Sequence, residues 1–333
     1  MSNIAFSFII PVHNRPDEIE ELLQSFLKLE GSLDFEIVII EDGSTNHSKH
    51  VVENYNEQLN ISYYFKENSG PGFSRNYGMQ KAKGNYFIIL DSDVLLPPSY
   101  LNAVKKRLTE NYVDCFGGPD AAHSSFTSLQ KAIDFTMTSF ITTGGIRGGK
   151  KQLQKFQPRS FNMGISKAAF EASKGFGSIH PGEDPDLSIR LWNLGYSTTL
   201  IPEAYVYHKR RISWKKFAQQ VYKFGLVRPI LNSWHPKTSS VMYWFPTMFS
   251  LGLICSVILL LLKITLPIKL YAVYFILIFV FSLLKTYSLI IALQSVIASI
   301  VQFFGYGYGF LKSNFVLHIL KKKPEVYFPK LFF

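Results

Sequence analysis

The chain has 333 residues, 47% of them hydrophobic, which is enough for a sizeable core and two structural units. Its formal charge of +11 is unevenly placed, because beyond residue 203 a single acid, Glu325, accompanies 16 Lys and Arg. Long apolar runs interrupt those bases, which argues against a nucleic-acid partner and for a membrane.

Apolar runs at residues 5–12, 36–40, 61–65 and 86–90 have the length and composition of strands, and amphipathic stretches separate them. The first stretch places Pro16 and three early acids at a helix start and Gly31 just past its end. This alternation predicts an α/β fold, a mostly parallel sheet flanked by helices. Ligands of such sheets bind beyond the carboxyl ends of the strands, and polar residues gather there. "PVHN", "EDGS", "KENSGPGFSRNYG" and "DSD" follow the four runs in turn.

An isolated D-x-D such as Asp91–Asp93 is commonly a helix cap or an Asx turn. At the end of a buried strand, two hard oxygen donors can instead hold Mn2+ or Mg2+ against the diphosphate of a nucleotide. "SGPGFSRNYG" lacks the third small residue of a dinucleotide fingerprint, having Ser74 and Arg75 there, but Arg75 could reach a phosphate or base. "PGEDPDLSIRLWNLGY" brings Glu183, Asp184 and Asp186 to a helix start, where acids suit the dipole and where one could serve as a base. His208, in "YVYHKRR", reads as a surface or packed histidine or as a metal ligand. "GGIRGGKKQ" at 144–152 lacks Walker spacing and reads as a loop that could order over substrate.

Further on, Met242 to Leu262 is 21 residues without a charge, enough to cross a hydrocarbon core of about 30 Å. Leu270 to Leu284 is a shorter run flanked by Lys269 and Lys285. In the third run Ser288, Ser295, Ser299, Gln302 and Tyr306 form a polar stripe that suits an interfacial helix as well as a span. Basic segments on both flanks require an even number of crossings. The expected division is therefore a first domain at 1–235 and a membrane region at 236–333. The region would hold spans at 242–262 and 268–285, an interfacial or third helix at 286–311 and a basic tail. The N-terminus shows no cleavable leader, and Cys115 and Cys255 fall in different units, which fits a reducing compartment. The expected location is the cytoplasmic (inner) membrane, multi-pass, with the first domain in the cytoplasm.

In order, "FSFIIPVHNRPDEIEELLQSF", "VIIEDGSTN", "SGPGFSRNYGMQKAKGNYFIILDSDV", "FNMGISKAAFEASKGF" and "PGEDPDLSIRLWNLGY" resemble the family 2 glycosyltransferases with their GT-A fold, over about residues 4–224. The resemblance implies that Asp42 contacts the base of a nucleotide-sugar donor, with Pro11 and Arg75 along the nucleotide. His13, Asn14, Gly70 and Ser92 join these as expected donor contacts. It implies that Asp91 and Asp93 bind a divalent cation (Mn2+ or Mg2+) and the diphosphate, with His208 completing the metal shell. Asp184 becomes the catalytic base, with Glu183 in support, while Phe161, Asn162 and Met163 line the acceptor side with Glu183. The Q-x-x-R-W motif of processive synthases is absent, since "QQVYKFG" stands at Gln219–Gly225. The expected activity is inverting, metal-dependent transfer of a sugar, from UDP as first choice, to a lipid-linked or other glycan acceptor in cell-surface polysaccharide or glycoconjugate synthesis. The alternatives are a transferase that loads polyprenyl phosphate and a catalytically dead nucleotide-sugar-binding scaffold.

Overall fold

The computed structural model describes residues 4–31, 34–121, 126–144, 155–209 and 213–333. The loop expected at 144–152 lies outside them except for Gly144. In chain order the elements begin β1 (Phe6–Val12), α1 (Pro16–Phe26), β2 (Phe35–Asp42), α2 (Lys49–Glu53), β3 (Ile61–Lys66), α3 (Pro71–Lys81), β4 (Tyr86–Leu90), β5 (Val94–Leu95) and α4 (Tyr100–Glu110). Then come β6 (Cys115–Gly117), β7 (Asp120–Ala121), α5 (Ser128–Thr138), α6 (Phe140–Thr143), β8 (Asn162–Ser166), α7 (Lys167–Ser173), α8 (Glu183–Asn193), β9 (Thr198–Leu200) and β10 (Val206–His208). The long helices α9 (Trp214–Trp234), α10 (Phe245–Leu261), α11 (Leu266–Thr286) and α12 (Leu289–Asn314) follow.

Two compact units result. One comprises residues 1–123, 154–210 and 333; the other comprises 124–153 and 211–332. This differs from the expected break at 235, because α9 and α5 bury apolar residues in the second unit. Ile133, Met137, Phe217, Val221 and Ala298 form one cluster there.

The first unit is built on a seven-stranded sheet in the order β3-β2-β1-β4-β8-β6-β9. The pairs β3-β2, β2-β1 and β1-β4 are parallel, as their helical crossovers require, while β8 runs antiparallel to both β4 and β6. Alternation along β1 explains the two-sided core. Phe6, Phe8, Ile10 and Val12 join a cluster with Ile19, Leu22 and Phe26 of α1, whereas Ile9 joins the opposite cluster with Met79, Phe170 and Leu187. A second sheet, β5-β10-β7, has three strands of two or three residues each.

In the second unit, three helices among the described residues are long and apolar enough to cross a membrane: Val241–Leu261, Leu266–Thr286 and Leu289–Ile319. The polar stripe of α12 is used in packing. Ser295 and Ser299 are fully buried; the Ser282 and Ser295 hydroxyls lie 2.8 Å apart, Thr136 Oγ1 donates to the Ser295 carbonyl and Gln302 Nε2 to that of Thr142. That stripe therefore has a structural use whether α12 lies on a bilayer or crosses it. The backbones of α9 and α12 approach closely at Gly225, where a Cβ would collide with the carbonyl oxygen of Tyr306.

Candidate active site

The apolar strand β4 ends at Leu90 and delivers Asp91 to the carboxyl edge of the large sheet. The small sheet supplies the rest. Pairing of β10 with β5 sets His208 opposite Val94, and pairing with β7 sets Val206 opposite Asp120, so a histidine 115 positions away reaches Asp93. Lys209 N–H donates to the Asp93 carbonyl at 2.8 Å and closes the register. Single ligand atoms of Asp91, Asp93 and His208 lie within 4.8 Å of one another. His208 Nε2 is 3.2 Å from Asp93 Oδ1, and its ring stacks on Phe161 at 4.9 Å. Burial opposes ionisation of Asp93, but His208 and Arg15 outweigh it and hold the carboxyl below its ordinary range. Arg15 is itself held by buried Glu18, which also accepts from Ser92 Oγ at 2.8 Å. Two carboxylates and an imidazole at this spacing fit a divalent cation of the Mn2+ or Mg2+ type.

The second half of the site surrounds Arg75, one turn into α3 and only 3% exposed. Its Nη2 donates to Asp91 Oδ1 at 2.7 Å and its Nη1 to Glu183 Oε1 at 3.2 Å, while the guanidinium lies over the Phe176 ring. Gly182, at φ +123, lets the chain turn sharply into α8, so Glu183 and Asp184 stand at a helix N-terminus. The three acids there have different partners. Asp186 pairs with Arg190 at 2.8 Å, and Glu183 is shared between Arg75 and His180 Nδ1, 2.9 Å away. Despite burial, His180 and Arg75 hold the Glu183 carboxyl down at about 2. Asp184 Oδ1 is buried and has no hydrogen-bond partner among the described residues. Burial first, then the neighbouring Glu183 charge, push its carboxyl up to about 6, against the pull of Arg75, Arg159 and Ser160. Of the three acids, Asp184 is therefore the one with an uncommitted oxygen and a near-neutral titration, the properties of a general base.

On the expected nucleotide side, Pro11 lies in β1 opposite Ile40. The Asp42 carboxylate accepts from Lys66 Nζ at 2.6 Å and from the backbone N–H groups of Ser69 and Gly70, both at 3.0 Å. It thereby shapes the loop leading into α3. His13 Nδ1 and Asn68 Nδ2 both donate to the Asp42 carbonyl, at 2.8 and 2.9 Å. Asn14 Oδ1 accepts from the N–H groups of Thr45 and Asn46, both at 2.8 Å, and so holds the next loop. The Phe333 ring packs against Gly70 and His180. On the expected acceptor side, Phe161 reaches the His208 ring, but Asn162 and Met163 are fully buried in β8. Asn162 accepts from Tyr100 Oη at 2.6 Å and donates to the Ala204 carbonyl at 2.8 Å. Sequence reasoning did not single out Lys66, His180, Glu18 or Asp120. Lys66 has a register signal, since β2 and β3 set it opposite Asp42, but that register is visible only in the paired strands.

Residues 7–172 match the family model described as Glycosyl transferase family 2. Poly(ribitol-phosphate) beta-N-acetylglucosaminyltransferase TarS of Staphylococcus aureus is 32% identical over 112 residues, 33% of this chain and 20% of that protein. Validoxylamine A glucosyltransferase of Streptomyces hygroscopicus subsp. jinggangensis is 35% identical over 101 residues, 29% of this chain and 24% of that protein. The first curated relatives are matched over only 15% to 20% of their own length. Mannosyltransferase PcManGT from Pyrobaculum calidifontis, solved in complex with GDP-Man and Mn2+, has the same fold, with a TM-score of 0.57 at 15% identity over 97% of this chain and 89% of that one. A mixed, mostly parallel sheet with an acidic cluster at its carboxyl edge is the GT-A fold that this neighbour shares. The chain thus carries a glycosyltransferase family 2 domain.

Proposed function

We propose that the protein transfers a sugar from a UDP-linked or related donor to a hydroxyl of a lipid-linked glycan acceptor by one inverting displacement. The observation that carries this reading is the pairing of two clusters at one sheet edge: Asp91, Asp93 and His208 on one side of Arg75, Glu183 and Asp184 on the other. Asp91, Asp93 and His208 would hold a Mn2+ or Mg2+ ion, which when bound supplies positive charge against the departing diphosphate. Asp184 takes the proton of the acceptor hydroxyl. That oxygen forms its bond to the anomeric carbon as the bond from carbon to diphosphate breaks, and the released electron pair stays on the phosphate oxygen. Arg75 keeps Glu183 and Asp91 in place. The three apolar helices and the basic tail support a membrane setting with the catalytic unit in the cytoplasm, where acidic lipids meet basic flanks.

The test is a donor screen across UDP-, GDP- and dTDP-sugars by nucleoside diphosphate release in membranes, with mass spectrometry of the lipid fraction. Asp184→Asn is expected to lower turnover by about 10²- to 10⁴-fold, the contribution of a positioned base, with donor affinity kept within a few-fold. Unchanged turnover removes Asp184 from the role, and transfer confined to water-soluble acceptors removes the lipid.

A further inference from the structure

The second unit contains a cation for which no counter-charge is found among the described residues. Arg228 lies in α9 among Leu226, Val227, Pro229, Ile230 and Leu231, all buried. Its guanidinium sits over the Tyr243 ring, 4.3 Å from the centroid, and Tyr306 of α12 is within electrostatic and hydrogen-bonding reach of it. Nη1 is buried and has no hydrogen-bond partner among the described residues, and the same holds for Oδ1 of Asn232, one turn further along α9. Residues 211–332 contain 14 Lys and Arg and a single acid, Glu325; residues 124–153 add four Lys and Arg and one acid, Asp134, and among the described residues neither acid is found paired with Arg228.

Arginine remains charged at any relevant pH, and a charge withdrawn from water is stable only when it is paired and its donors are used. Stacking on Tyr243 satisfies a face of the guanidinium and Tyr306 engages it from α12, but Nη1 keeps no partner among the described residues. A guanidinium is a fork whose geometry matches two phosphate oxygens. The surroundings indicate what carries the phosphate. The segment holding Tyr243 leads directly into α10, and Val241, Met242, Phe245 and Met248 along it are exposed apolar side chains against which an acyl or isoprenyl chain can lie. We propose that Arg228, between Tyr243 and Tyr306, binds the phosphoryl group of a lipid phosphate. The inference rests on the reading of the apolar helices as membrane segments.

The test uses the full chain in neutral detergent, titrated by native mass spectrometry with polyisoprenyl phosphate, the matching polyisoprenol, phosphatidic acid and inorganic phosphate. The phosphate is expected to bind at least 10-fold more tightly than the alcohol, with Arg228→Gln abolishing that preference and Arg228→Lys retaining part of it. Displacement by phosphatidic acid would assign the site to phospholipid headgroups, and its failure to displace would assign it to isoprenyl phosphates. Equal binding of phosphate and alcohol to the wild type overturns the proposal whether or not the variants fold, as does a preference undiminished in Arg228→Gln. Displacement by equimolar inorganic phosphate overturns the lipid assignment. UDP affinity, measured in parallel by calorimetry, reports on the catalytic unit alone, so its absence would count against the glycosyltransferase reading and leave this result standing.

Discussion

Glu183→Gln tests the electrostatics of the base directly, because it removes a charge next to Asp184 while keeping the side chain's size. The Asp184 carboxyl rises from 3.8 to about 6, chiefly through burial and then through the Glu183 charge. That rise of roughly two units corresponds to about 3 kcal/mol. Removing the second of these causes leaves burial in place, so a shift of about one unit back toward acid is expected. The sign follows from the role: a base must be unprotonated, so activity climbs through its pKa as pH rises. Wild-type turnover should fall along a limb centred near pH 6, reaching about a tenth of its plateau at pH 5, whereas Glu183→Gln should retain about half of its own plateau there. The assay is initial-rate nucleoside diphosphate release from pH 4.5 to 8.5 at saturating donor, each enzyme normalised to its own plateau. A wild-type profile flat down to pH 5, or a variant limb at or above the wild-type one, would refute the reasoning.

At the cation cluster, Asp93→Ala is expected to abolish Mn2+-dependent UDP or GDP affinity and His208→Ala to weaken it by roughly tenfold or more, as loss of one donor of three predicts; calorimetry with unaltered affinity would exclude the metal reading. Asn162→Ala leaves the Tyr100 hydroxyl and the Ala204 carbonyl unpaired in a closed interior. At about 1–3 kcal/mol for each orphaned group, the melting temperature should drop by about 5–10 °C, and an unchanged melting curve would contradict it. Gly225→Leu forces α9 away from α12 and should cost about 1–3 kcal/mol or more; a monodisperse protein of wild-type thermal stability in detergent would show that the helices do not pack as described.

What was legible in the sequence was whatever depends on neighbours in the chain. The runs that became β1 to β4, the helix start at Pro16 and the polar strand ends are local patterns, and they put Asp91 and Asp93 at the correct edge. The non-local features were not readable. Nothing in "FNMGIS" says that β8 inserts antiparallel between β4 and β6, or that Asn162 thereby turns inward to Tyr100. The small sheet has strands too short for any periodicity to register, yet it joins His208 to Asp93. Arg75 was expected along the nucleotide from the family resemblance, but the two carboxylates it engages, one of them 108 positions away, could not be read from the chain. The serine stripe of α12 was ambiguous for a related reason: polar residues on one helical face look the same whether they face lipid headgroups or a neighbouring helix.

The bridge made by Arg75 has a consequence for how this site can change. Because one guanidinium answers to both Asp91 and Glu183, damage around Asp91 is felt at Glu183. Substitutions at these two positions will not add, in the manner of residues that share one ion-pair network. A new donor preference cannot then be grafted on by exchanging residues around Asp91 alone; variants selected for that purpose will need compensating changes near α8, so the two halves vary as a block.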